Sequence, residues 1–228
     1  MLFFDPTMII LIPAIILSMW AQINISSTIG RYERVQARSS LTGAQVAQRI
    51  LQANGIYDVR VEAVRGHLTD HYDPRTKVVR LSESVYGKTS LAALGVAAHE
   101  VGHAIQHEND YMPLRIRSAL APIAQFGSYG SWILLIVGIL LSSMSLVEVG
   151  IWLFVAVVLF QLVTLPVEFN ASSRALVQLE SGGYLESDEI SGSRKVLRAA
   201  AMTYVAAVVM AILQLVRLLA IAGIFNRD

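Results

Sequence analysis

LAALGVAAHEVGHAIQH, residues 91–107, sets His99, Glu100 and His103 into a run that is otherwise almost wholly apolar. Ser90 precedes it as a helix cap, and only Gly95 and Gly102 weaken a helix that continues through His107. Leu91, Leu94, Val96, Ala97, Ala98, Val101, Ala104 and Ile105 spread apolar groups round all sides, so the helix is expected to be buried. A buried charge without a partner is costly, and such a group normally neutralises instead. A metal ion supplies the partner. Residues four apart on a helix lie nearly one above the other, so both imidazoles can reach one ion at the zinc–nitrogen distance of ~2.0–2.1 Å. Glu100, offset by about a quarter-turn, can reach a water on that ion as general base. His-Glu-x-x-His on a helix is a metalloprotease signature.

The rest of the chain points to a bilayer. It has 228 residues, of which 54% are hydrophobic and only 15% charged, too apolar for an ordinary soluble domain. The absence of cysteine excludes disulfides, thiolate zinc sites, a cysteine nucleophile and iron–sulfur clusters, so any metal falls to His, Asp or Glu. A net charge of +1 excludes a large basic footprint, and no nucleic-acid partner is expected.

Four intervals suit a spanning helix, which takes ~20 mostly apolar residues. One lies between Asp5 and Arg31; two form a hairpin between Arg117 and Glu168 with its turn at SSMSLVE; the last runs from about Ala199 to Phe225. Arg217 in the last can snorkel or face a polar interior. The first interval lacks a basic leader and a small-residue cleavage site, and reads as a retained anchor. Arg31, Arg34, Arg38, Arg115, Arg117, Arg174, Arg194, Lys195 and Arg198 all fall on one side of these spans, which predicts an N-terminus outside and the polar segments in the cytoplasm. The expected organisation is a transmembrane helix over 1–30, a cytoplasmic domain with the motif helix over 31–117, a helical hairpin over 118–166, a cytoplasmic helical segment over 167–198 and a final transmembrane helix over 199–228.

Within 31–117, LTGAQVAQRILQANG reads as an amphipathic helix stopped at Asn54-Gly55. YDVRVEAV and VVRLS read as two strands, with a turn signal at Asp73-Pro74. By analogy with other peptide-binding sheets, the strand near Val78 to Leu81 is expected to take an extended substrate by strand addition.

A third ligand remains to be found. His107 stands eight residues from His99, ~12 Å along the axis, too far for one ion. The metzincin extension fails because Gln106 and Asn109 stand where Gly and His are needed. Glu148 falls at the opposite membrane face, whereas Glu168 returns to the cytoplasmic side directly after the third span, and is the best candidate. Its other reading is an ordinary first-turn carboxylate favoured by the helix dipole.

LTDHYDPRTKVVRLSESVY, AAHEVGHAIQH, LPVEFNASSRAL and AAAMTYVAA together resemble the YugP-like neutral zinc metallopeptidases of bacterial membranes, relatives of the HtpX-type and CAAX-prenyl-type proteases. The likeness covers nearly the whole chain. It implies a mainly α membrane protein with four transmembrane helices and a small α+β zincin-like domain of the glutamate-zincin type. It also implies a Zn2+ cofactor on His99, His103 and Glu168, with Glu100 as catalytic base. HtpX-type sequences carry Asp four positions after the ligand glutamate, where this chain has Ser172, and YugP-like sequences carry Asp where this one has Asn170. Asn170 is therefore expected to accept a hydrogen bond from a ligand imidazole without the charge that raises ligand basicity. His71, Tyr72 and Tyr204 are the candidate oxyanion donors. The expected function is a membrane-embedded zinc endopeptidase acting on peptides or membrane proteins. The alternatives are a catalytically impaired zinc scaffold working through protein partners, and a small transporter. A second copy of the chain or another membrane protein is the further partner the sequence leaves open.

Overall fold

The computed structural model describes residues 6–225, with side chains through 223. A 3-10 turn, Pro6–Leu11, leads into α1 (Ile12–Tyr32). There follow α2 (Gly43–Ala53), β1 (Arg60–Val64), β2 (His71–Asp73), β3 (Val78–Ser82) and α3 (Leu91–Glu108), then α4 (Met112–Leu140), α5 (Met144–Ser181) and α6 (Ser187–Phe225). The fold is mainly helical with one small sheet, a membrane protein carrying a small α+β domain. Four stretches, Pro6–Tyr32, Met112–Leu140, Met144–Ser181 and Ser187–Gly223, are long and apolar enough to cross a bilayer. The hairpin turn is tighter than SSMSLVE suggests: it occupies 141–143, and Glu148 already lies in α5. Pro166 does not end α5, which is 38 residues long in all. At 1.5 Å per residue that is ~57 Å, well beyond the ~30 Å of bilayer hydrocarbon.

The chain divides into two compact units. One, built from Met1–Ala21, Arg115–Pro166 and Thr203–Asp228, is the apolar helical part. Its core centres on Leu135, Phe154, Val157, Val158, Ala211 and Leu218. At Gly150 an added Cβ would stand 3.0 Å from the Ser131 carbonyl oxygen, the close backbone approach typical of helices packed in lipid. Arg217 donates its Nε–H to Thr7 (3.2 Å), and its guanidinium carbon sits 5.8 Å from the centre of the Trp132 ring.

The other unit, Gln22–Leu114 with Val167–Met202, holds the polar segments and the motif helix. Thr42 and Gln45 close a capping box at the start of α2, and Gly55 (φ +72°) ends that helix in the left-handed conformation glycine tolerates. Ser90 caps α3 by accepting from the Ala93 N–H (3.2 Å). Val46, Ile50, Leu81, Leu94, Val101 and Leu179 pack into one core around α3.

The sheet differs from its expected form. It has three strands in the order β1-β3-β2, with β1 parallel to β3 and β2 antiparallel to it, Tyr72 opposite Val79. The turn at Asp73-Pro74 therefore joins β2 to β3. Three residues are too few for β2 to show an alternating pattern in the sequence. Since Val78–Arg80 of β3 is paired on both sides, that stretch cannot accept an added strand; the outer edges of the sheet belong to β1 and β2.

Candidate metal centre

Burial of α3 brings the motif together as its spacing suggests. The His99 and His103 rings stand edge to face with centroids 4.8 Å apart. α5 delivers Glu168, whose side chain is 2% exposed, with its Oε2 3.3 Å from His99 Nε2 and 3.6 Å from His103 Nε2. The three ligand atoms lie within 4.8 Å of one another. Two donors held ~2.0–2.1 Å from zinc at the tetrahedral angle stand ~3.3–3.4 Å apart, so both carboxylate distances fit a shared ion. Two imidazoles and a carboxylate are also the donor set zinc accepts when a position is left for water.

Gly102 makes this proximity possible. A Cβ there would lie 2.6 Å from the carbonyl oxygen of Ala171, so α3 and α5 meet with backbone against backbone. Glu168 stands one turn before Ala171 on the same helix.

Glu100 is buried at 8% exposure. Burial pushes its carboxyl up to about 7; the His99 charge opposes the shift, and the Asp70 and Glu168 carboxylates add to it. A cation on the three ligands would pull it back down. Asp70 is held by the Ser82 backbone N–H (2.7 Å) and hydroxyl (2.9 Å). The Tyr72 backbone N–H, on the edge strand β2, also faces the Glu100 carboxylate.

The other candidates are placed as follows. The Tyr72 hydroxyl is engaged with His107 Nδ1 (2.8 Å), and burial pushes its phenol up to about 12. His71 is exposed, with Nδ1 2.8 Å from the Thr69 carbonyl. Tyr204 belongs to the apolar helical unit. Asn170 does not touch an imidazole: its Oδ1 accepts from Gln106 Nε2 (3.0 Å) and Arg174 Nε (2.8 Å). Ser172 Oγ, two residues on, lies 3.1 Å from His99 Nδ1, and Gln106 Oε1 lies 3.0 Å from His103 Nδ1. The expected Asn170–imidazole bond is not made because Gln106 partners His103 Nδ1 and Ser172 lies beside His99 Nδ1. The sequence held one pointer to Gln106: a glutamine one turn after His103, on the same helix face as both histidines.

Fold and site together describe a mainly helical membrane protein in which His99, His103 and Glu168 come together as a group that could hold a metal ion. Residues 7–223 match the family described as "Putative neutral zinc metallopeptidase", and the chain belongs to that family. It is 52% identical over 206 residues to the "Putative membrane protease YugP" of Bacillus subtilis (strain 168), an alignment covering 90% of this chain and 92% of that protein. No solved structure matches.

Proposed function

We propose that the chain is a membrane-embedded endopeptidase in which His99, His103 and Glu168 hold zinc and Glu100 moves the proton. The observation that carries this reading is the Glu168 carboxylate, buried and within 3.6 Å of both imidazole Nε2 atoms. Zinc, when bound, supplies the Lewis acidity that makes a water acidic near neutral pH and polarises a peptide carbonyl. Glu100 accepts the proton of the attacking water on a carboxylate oxygen and returns it to the departing amine. Burial favours uptake of that proton, and a cation on the three ligands would oppose it, so the two act against each other at this carboxyl. The substrate lies along the free edge of β2, whose backbone at Tyr72 already faces Glu100. That edge reads main chain, which suits an extended peptide or an unfolded segment of a membrane protein. The basic residues flanking the spans support an active site in the cytoplasm, with the N-terminus outside.

The test is Glu100→Gln, assayed on casein and on detergent-solubilised membrane proteins beside a zinc measurement. General acid–base catalysis accounts for roughly 10²–10⁴-fold in rate, so cleavage falls by that factor while zinc stays bound. A zinc-loaded Glu100→Gln protein that cleaves at the wild-type rate refutes the role given to Glu100.

A further inference from the structure

Gln106 is 0% exposed, and every polar atom of its side chain is committed. Its Nε2 lies 2.8 Å from the Val167 carbonyl oxygen and 3.0 Å from Asn170 Oδ1, and its Oε1 lies 3.0 Å from His103 Nδ1. The directions of these bonds follow from chemistry. The Val167 carbonyl can only accept, so the amide nitrogen must face it and the amide oxygen must face His103. An amide oxygen can only accept, so His103 Nδ1 carries the hydrogen. The lone pair of a neutral His103 is then on Nε2, the atom 3.6 Å from Glu168. Asn170 is fixed by the same reasoning: Arg174 Nε, 2.8 Å away, can only donate, so the Asn170 oxygen points inward and takes the second Gln106 N–H. His99 has no such lock, because the Ser172 hydroxyl beside its Nδ1 can donate or accept.

We infer that Gln106 is a positioning residue that sets the tautomer and ring orientation of His103 for the metal, and that Asn170 acts on the site only by holding Gln106. This rests on the zinc reading above and adds to it an amide chain running Arg174, Asn170, Gln106, His103. The Asn170 side chain then matters at one remove, through the amide it orients.

The test uses the full-length protein in detergent, with two readouts: zinc affinity by competition with a chromophoric chelator, and the melting temperature of the zinc-free protein. Gln106→Met keeps the volume and removes the amide; affinity is expected to fall by about 10- to 100-fold, the usual effect of losing such a partner. Gln106→Glu restores an acceptor for His103 Nδ1 but loses the donors to Val167 and Asn170. It is expected to recover most of the zinc affinity while its zinc-free form melts lower than wild type, a separation that a purely structural role would not produce. Asn170→Ala should weaken zinc binding in the Gln106 protein and have no further effect in Gln106→Met. Asn170 is partly exposed, so its truncation carries the test even if Gln106→Met fails to fold. Wild-type zinc affinity in Gln106→Met, or in Asn170→Ala, overturns the inference, as does a Gln106→Glu protein that binds no better than Gln106→Met. A wild-type chain that binds no zinc, or a His103→Ala chain that binds it unchanged, refutes the ligand assignment itself, and the inference with it.

Discussion

Gly102→Ala probes how the site is assembled. The added methyl would stand 2.6 Å from the Ala171 carbonyl oxygen and 3.2 Å from its carbonyl carbon and Cα, all of them backbone atoms that cannot swing aside. A carbon–oxygen contact settles at ~3.3–3.6 Å, so α3 and α5 must separate by roughly 0.7 Å or more. Glu168 lies one turn from Ala171 and His103 is the next residue after Gly102, so the separation falls on the ligand triangle. The 3.3 and 3.6 Å gaps between Glu168 Oε2 and the two Nε2 atoms open toward ~4 Å, beyond the ~3.3–3.4 Å edge of a tetrahedral zinc site. Overpacking of this kind costs about 1–3 kcal/mol. Chelator competition should therefore show zinc held at least about tenfold more weakly, and the melting temperature of the zinc-free protein should fall. Gly87→Ala is the control, because a Cβ there meets nothing within 4 Å. A Gly102→Ala protein with wild-type zinc affinity and melting temperature would refute the idea that this glycine sets the ligand spacing.

Three further outcomes follow from the same structure. Ser90→Ala removes the cap from the motif helix and should lower stability by about 1 kcal/mol in denaturant titration, leaving the zinc stoichiometry unchanged. Tyr72→Phe deletes the hydrogen bond to His107, worth about 1 kcal/mol; because that hydroxyl is turned to His107, casein cleavage should stay within a few-fold of wild type, and a hundredfold loss would make Tyr72 an oxyanion donor after all. A reporter inserted at the exposed turn of residues 74–76 should behave as cytoplasmic, and extracytoplasmic behaviour would invert the proposed topology.

The motif helix is legible in the sequence because two independent signals coincide there: polar groups at metal-ligand spacing and apolar residues on all sides. The four spans are legible for a similar reason, since a run of ~20 uncharged, mostly apolar residues is rare outside a bilayer. Glu168 is reached indirectly, by asking which carboxylate returns to the same side as the motif, and its carboxylate does lie against both imidazoles. The sheet is harder to read. β2 is three residues long, and its importance comes from lying at an edge beside Glu100, which only tertiary structure reveals. The partner of His103 escapes for a different reason. Distance along the chain from Glu168 points to Asn170 and Ser172, whereas the contact to His103 comes from Gln106 on α3 itself, and Asn170 enters by meeting it across the helix interface.

The central claim, that α5 supplies the third ligand of a catalytic zinc, is tested most directly by measuring zinc content and casein cleavage side by side in wild type and Glu168→Ala. The account predicts about one zinc per wild-type chain with measurable cleavage, and loss of both in the variant. A Glu168→Ala protein that retains its zinc and cleaves as wild type would contradict it.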